Sequence, residues 1–68
     1  MNLCVFIRRG ERGGYCATCP VLPGCIGRGQ TEQQARLEIH EAIRGYLASI
    51  SDFVPEKMDE MLQFQTQQ

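Results

Sequence analysis

Four cysteines, Cys4, Cys16, Cys19 and Cys25, are the first residues of this 68-residue chain whose type suggests chemistry. Their spacing is C-x11-C-x2-C-x5-C. A structural zinc takes two short chelating pairs held on turns, and a redox C-x-x-C sits at a helix start. Here Cys16 and Cys19 fall within one expected strand, where an odd separation aims them at opposite faces. The spacing therefore favours thiols packed as small hydrophobes, with no metal and no cofactor, and with no signal peptide read at Met1-Asn2 they are expected to be reduced. A zinc or redox domain is the competing class, and metal analysis of the purified protein separates the two.

His40 is the single histidine, and imidazole can serve as a base or a ligand. It lies at the margin of an apolar stripe with no acid or thiol constellation implied by spacing, so packing at a boundary is expected. Glu38 and Glu41 stand three apart on a helix, but catalytic carboxylate pairs need a pocket that separates their pKa values. Gly27-Arg28-Gly29 precedes a helix start, where anions bind. It lacks the lysine of G-x-x-x-x-G-K-[ST] and the full G-x-G-x-x-G pattern, so turn or bulge glycines are expected. No residue set supports turnover, and we expect a protein that is not an enzyme.

Charge and length narrow the class further. Seven basic against eight acidic residues leave a net charge of −1, without the basic excess that phosphate backbones select. The charge is unevenly placed: residues 1–31 carry four arginines against Glu11, a local +3, and residues 32–68 carry three basic against seven acidic residues, a local −4. Such a dipole steers a charged partner. No apolar run approaches the roughly 20 residues of a membrane span, and Met1-Asn2 does not open a signal peptide. A single domain over residues 1–68, soluble and cytoplasmic, is expected.

The elements that would position these residues follow from periodicity. Leu3, Val5 and Ile7 alternate with Cys4, Phe6 and Arg8, which predicts a strand over residues 3–9. Gly10 to Gly14 supplies a reversal, and a second, antiparallel strand is expected over 15–19. Pro20 and Pro23-Gly24 end it, and a third short strand is expected over about 25–30. Thr31-Glu-Gln-Gln34 reads as a capping box in which the Gln34 side chain returns to the Thr31 amide. Ala35, Ile39, Ala42, Ile43, Tyr46, Leu47 and Ile50 then form an apolar stripe about 140° wide. Gly45 interrupts this helix at a cost of about 1 kcal/mol, so close approach of a neighbouring backbone is one reading. Ser51 to Pro55 breaks the periodicity. Beyond it Met58, Met61 and Leu62 have helical spacing, whereas Leu62, Phe64 and Thr66 alternate with glutamines as a strand would; of the two, a loop through residue 60 and then a strand is preferred. The sum is an α+β domain, a small antiparallel three- to four-stranded sheet with one helix on one face in the order β-β-β-α-β. Its opposite face would expose Cys4, Phe6, Cys16 and Thr18, a partly apolar surface that suggests a homodimer or tetramer.

Several of these motifs occur together and in order: Gly14-Tyr-Cys-Ala-Thr-Cys-Pro-Val-Leu-Pro-Gly-Cys25, then Gly29-Gln-Thr31, Gln34-Ala35 and Glu41-Ala-Ile-Arg-Gly-Tyr-Leu47. Over about residues 1–50 the chain resembles the HicB-like antitoxin family, and Val54-Pro55-Glu56 looks like that family's tail. The resemblance implies a partial ribonuclease H-like fold and a role in a type II toxin-antitoxin pair, with the antitoxin masking the active site of a small HicA-like mRNA-cleaving toxin. It also implies assembly as dimers or tetramers. Many relatives add a C-terminal helix-turn-helix or ribbon-helix-helix module, and a short member without one is expected here. Relatives often show acidic residues where this chain has Arg8-Arg-Gly-Glu-Arg12.

The leading expectation is thus a protein-binding module whose acidic helix and tail complement a basic toxin. Its candidate contacts are Glu38, Glu41, Met61, Leu62 and Phe64. The alternative is a small RNA- or DNA-binding module using Arg8, Arg9, Arg12 and Arg28 of the hairpin region. The bland reading of those arginines is a solvated hairpin tip.

Overall fold

Alternation in Leu3-Cys-Val-Phe-Ile makes β1, Leu3–Arg9, the strand on which the others assemble. Its inward residues Leu3, Val5 and Ile7 are buried, while Cys4 and Phe6 between them are half-buried on the other face. The computed structural model describes residues 2–50 and 58–67. Over these the chain continues through β2, Tyr15–Thr18; β3, Ile26–Gly29; α1, Glu32–Ile50; α2, Met58–Met61; and β4, Leu62–Gln67. The sheet order is β3-β2-β1-β4. β1 pairs antiparallel with β2 and parallel with β4, and β2 pairs antiparallel with β3. The fold is α+β as expected, with a mixed rather than wholly antiparallel sheet, because β4 returns after a helix and lies alongside β1.

Glycine allows both connections between the antiparallel strands. Gly13 and Gly14 adopt φ of 82° and 77° in the first reversal, a region costly for residues with a Cβ. In the second, the Leu22 amide donates to the Cys19 carbonyl at 3.0 Å and the Cys25 amide to the Leu22 carbonyl at 3.2 Å. β2 ends at Thr18, so Cys19 belongs to this turn rather than to the strand.

At the start of α1 the Gln34 amide donates to the Thr31 hydroxyl at 3.1 Å, as a capping box requires. The reciprocal bond differs from expectation: the Gln34 side-chain oxygen accepts from the Gln30 amide at 2.8 Å, one residue earlier than Thr31. Ala35, Ile39 and Ile43 are fully buried, and Ala42, Tyr46 and Leu47 pack against them. Ile50, expected in the stripe, is the last residue of the helix and is 64% exposed. The expected break at Ser51–Pro55 lies outside the described residues. Before β4, the expected loop through residue 60 is replaced by the single turn α2, which buries Met58 in the core.

The helix meets the sheet at β3, and two glycines set how closely. A Cβ at Gly27 would lie 2.3 Å from the Ile39 amide nitrogen and 2.8 Å from the Ala35 carbonyl oxygen. One at Gly29 would lie 2.6 Å from the Gln34 Cβ. All three distances are inside van der Waals contact, and at Gly27 the β3 backbone touches the helix backbone directly. The expected close approach is therefore at Gly27 and not at Gly45, which has nothing within 4 Å of its notional Cβ. Gly27→Ala must push helix from sheet and is expected to cost about 3 kcal/mol. Gly45→Ala removes only a poor helix former and is expected to add about 1 kcal/mol. Denaturant midpoints moving in opposite directions for these two alanines would check this.

Candidate functional site

Two surfaces gather the residues singled out by type and spacing. The first is the face of the sheet away from α1. Strand register places Ile26, Thr18, Phe6 and Gln65 in one row across all four strands, and Arg28, Cys16 and Arg8 in another across three. Cys4 lies opposite Gln63, with its thiol 4.0 Å from the Gln63 side-chain oxygen. One end of this face is apolar, around half-buried Phe6 and half-exposed Ile26; the other is basic, with Arg8 and Arg28 on either side of Cys16. No described residue covers it. Cys4, Phe6, Cys16 and Thr18 share this face. Arg9 follows Arg8 and so projects from the other side of β1, and exposed Arg12 lies in the first reversal; the four arginines do not converge.

The second surface lies on the helix side, where α1 sits mainly over β3 and β2, little over β1 and least over β4. This offset leaves a groove of about 620 Å³ between α1 and β4, lined by Glu32, Gln33, Arg36, Leu37, His40, Glu41 and Phe64. Its inner wall is a linked set of contacts. The Thr66 hydroxyl donates to Glu32 at 2.6 Å, Glu32 pairs with Arg36 at 3.6 Å one helical turn on, and the Arg36 guanidinium stands 4.7 Å from the centre of the Phe64 ring. Together they tie the helix flank to the edge strand, although the Arg36 Nε is buried there without a hydrogen-bond partner. His40 lies at the outer wall, its Nδ1 4.0 Å from a Glu41 carboxylate oxygen.

The five candidate partner contacts separate on folding. Glu41 and Phe64 come together in the groove. Glu38 is exposed but lies outside it, on another flank of the helix. Met61 is half-buried against the core. Leu62 is 7% exposed and belongs to the core itself, which corrects the expectation that it meets a partner. Arg36 and Leu37 were not singled out from sequence. The signal for Leu37, 62% exposed, is an apolar residue off the helical stripe; the pairing of Arg36 with Phe64 has no local signal.

The cysteines are likewise divided. Cys19 and Cys25 are buried on the helix side, with the Cys25 thiol 3.8 Å from the Ala42 carbonyl, whereas Cys4 and Cys16 are half-buried on the open face. Among the described residues no three His, Cys, Asp or Glu side chains are grouped to hold a metal ion. No helix among them is long and apolar enough to cross a membrane.

One long helix on one side of a four-stranded sheet, with a bare opposite face and a groove along one helix flank, defines a small two-layer α+β domain. The chain belongs to the UPF0150 family. It is 42% identical over 50 residues to a UPF0150 protein of Thermoplasma acidophilum, an alignment covering 74% of this chain and 72% of the relative. Two UPF0150 proteins of Synechocystis sp. are 41% identical over 49 residues, covering 72% of this chain and 62% of the relative, and 40% identical over 43 residues, covering 63% and 60%. These names state no activity. No family model matches the chain, and no solved structure matches it.

Burial pushes the Cys19 and Cys25 thiols above their ordinary value of 9.0. The unfolded chain sheds these protons near that value and the folded chain retains them, so above it the folded state binds more protons and stability falls as pH rises. Denaturation midpoints are expected to be level between about pH 7 and 8 and to decline above 9.0, less steeply in a Cys19→Ala, Cys25→Ala double variant. A thiol reagent applied to the native protein should label Cys4 and Cys16 and leave Cys19 and Cys25 unlabelled until denaturant is added, as mass spectrometry of the peptides would establish.

Proposed function

We propose that this protein is an antitoxin-type binding module that neutralises a HicA-like mRNA-cleaving toxin by masking its active site, acting in the cytoplasm as a homodimer or tetramer and without turnover of its own. The observation that carries this reading is the bare sheet face, across which Ile26, Phe6 and Cys4 form a partly apolar surface with no covering element among the described residues. Partly apolar surface left uncovered in this way marks contact with another polypeptide. Occlusion of an active site needs only such a surface.

Two further features support the reading. The resemblance over about residues 1–50 to HicB-like antitoxins rests on a glycine-tyrosine strand, a Pro-x-Leu-Pro-Gly-Cys turn and a Glu-Ala-Ile-x-x-Tyr-Leu helix, and those segments form β2, the second reversal and α1. Exposed acids on the second half, Glu38, Glu41 and Glu60, complement an RNA-cleaving toxin, which is basic because its substrate is an anion. Charge of this kind acts more on the rate of encounter than on affinity.

Co-expression with a HicA-like toxin from the same genome is expected to relieve that toxin's growth arrest and to recover both proteins as one complex; unrelieved arrest with no complex would refute the reading. Glu38→Lys combined with Glu41→Lys should slow association severalfold in low salt, with the difference shrinking as ionic strength rises.

A second reading, direct binding of RNA or DNA, is favoured by one observation, the placement of Arg8 and Arg28 at neighbouring register positions around Cys16. Filter binding over a salt series separates the two. Salt-sensitive affinity tighter than about 1 µM that Arg8→Ala and Arg28→Ala abolish would favour nucleic acid.

A further inference from the structure

β4 is the outer strand of the sheet, and among the described residues nothing pairs with its free edge. Natural sheets ordinarily blunt such edges with charge, proline or brevity, since an unpaired row of amides and carbonyls invites another strand. The other edge strand is blunted in this way: β3 has four residues, of which Gly27 and Gly29 weaken pairing and Arg28 carries charge. β4 has none of these devices. Its six residues, Leu-Gln-Phe-Gln-Thr-Gln, include no charge, no proline and no glycine.

The side chains along β4 are suited to meeting copies of themselves. Gln63 and Gln65 are exposed on the open face, and each amide offers both a donor and an acceptor, so glutamines set opposite one another are self-complementary. On the other face, Phe64 floors the groove beneath Leu37, which is 62% exposed. An antiparallel strand laid against β4 would satisfy the edge and bring its own residues over that groove in one continuous contact. Residues directly opposite in such a pair share a face, so glutamines meet glutamines and the Phe64 side meets its own counterpart. A two-fold axis requires this kind of self-matching.

We propose that the free edge of β4 pairs antiparallel with β4 of a second copy of this chain, joining two four-stranded sheets into one of eight strands, with the α1–β4 grooves of both copies closed over the seam. This proposal does not rest on the antitoxin reading.

Sedimentation equilibrium of the full chain, up to about 100 µM, tests it with three variants at exposed positions whose folding is checked by circular dichroism. Gln63→Lys with Gln65→Lys puts like charges across the seam and is expected to raise the dimer dissociation constant about tenfold or more. Leu37→Glu on the groove wall should also weaken the dimer. Ile26→Lys, at the far edge of the open face, should leave it unchanged. A monomer throughout the range, or a dimer that the glutamine variant leaves intact, would overturn the proposal. So would a dimer broken by Ile26→Lys and unaffected by Leu37→Glu, since the copies would then meet through the open face.

Discussion

Direct contact between the backbones of β3 and α1 at Gly27 is the constraint on which the rest of this small protein depends. With the Ile39 amide nitrogen only 2.3 Å from where a Cβ would stand, the helix axis is drawn in toward the β3 side of the sheet. That position buries Ala35, Ile39 and Ile43 against Val5, Ile7 and Ala17, and each isoleucine so enclosed contributes about 1.5–3 kcal/mol. In a chain this short, few other residues are left to build a core. The same displacement leaves the β1 and β4 side less well roofed, and Met58 of α2 fills part of the gap. What remains is the groove.

That groove is held open by a linked set of polar and aromatic contacts rather than by bulk. Thr66, Glu32, Arg36 and Phe64 tie the flank of the helix to the last strand. Each contact is at or near the surface, where an ion pair is worth little by itself. Their consequence is geometric: they hold the Phe64 ring beneath the guanidinium and set the spacing of the two walls. The bare face on the other side of the sheet arises differently, because α1 and the single turn α2, whose Met58 enters the core, leave no described helix to roof it. A surface with an apolar end and an arginine end results, and membership of the UPF0150 family places this arrangement among small proteins of comparable length.

Much of the fold was legible along the chain. Alternation located β1 to the residue, the capping box located the start of α1, and the period of Ala35, Ile39 and Ile43 named the buried stripe. Local patterns succeed there because the period of apolar residues reports directly which side of an element faces the core. They fail at the ends of elements. Ile50 keeps the helical period but is exposed, and Gln34 reaches Gln30 rather than Thr31. Met58, Met61 and Leu62 already had helical spacing, but a single turn gives too short a window to distinguish from a loop.

The candidate surfaces divide along the same line. The sequence by itself determined that Cys4, Phe6, Cys16 and Thr18 fall on one face, since a two-residue period leaves no other arrangement once Val5 and Ile7 point inward. Only the tertiary structure decided that Arg36 meets Phe64, that Leu62 is core while Phe64 is not, and that Glu41 lines the groove while Glu38 does not. Those outcomes depend on strand order and on where the helix rests, and both are set by contacts between residues far apart in the chain. The close approach at Gly27 belongs to this second kind: every glycine is permissive alone, and which of them a helix will touch is decided only when the two layers meet.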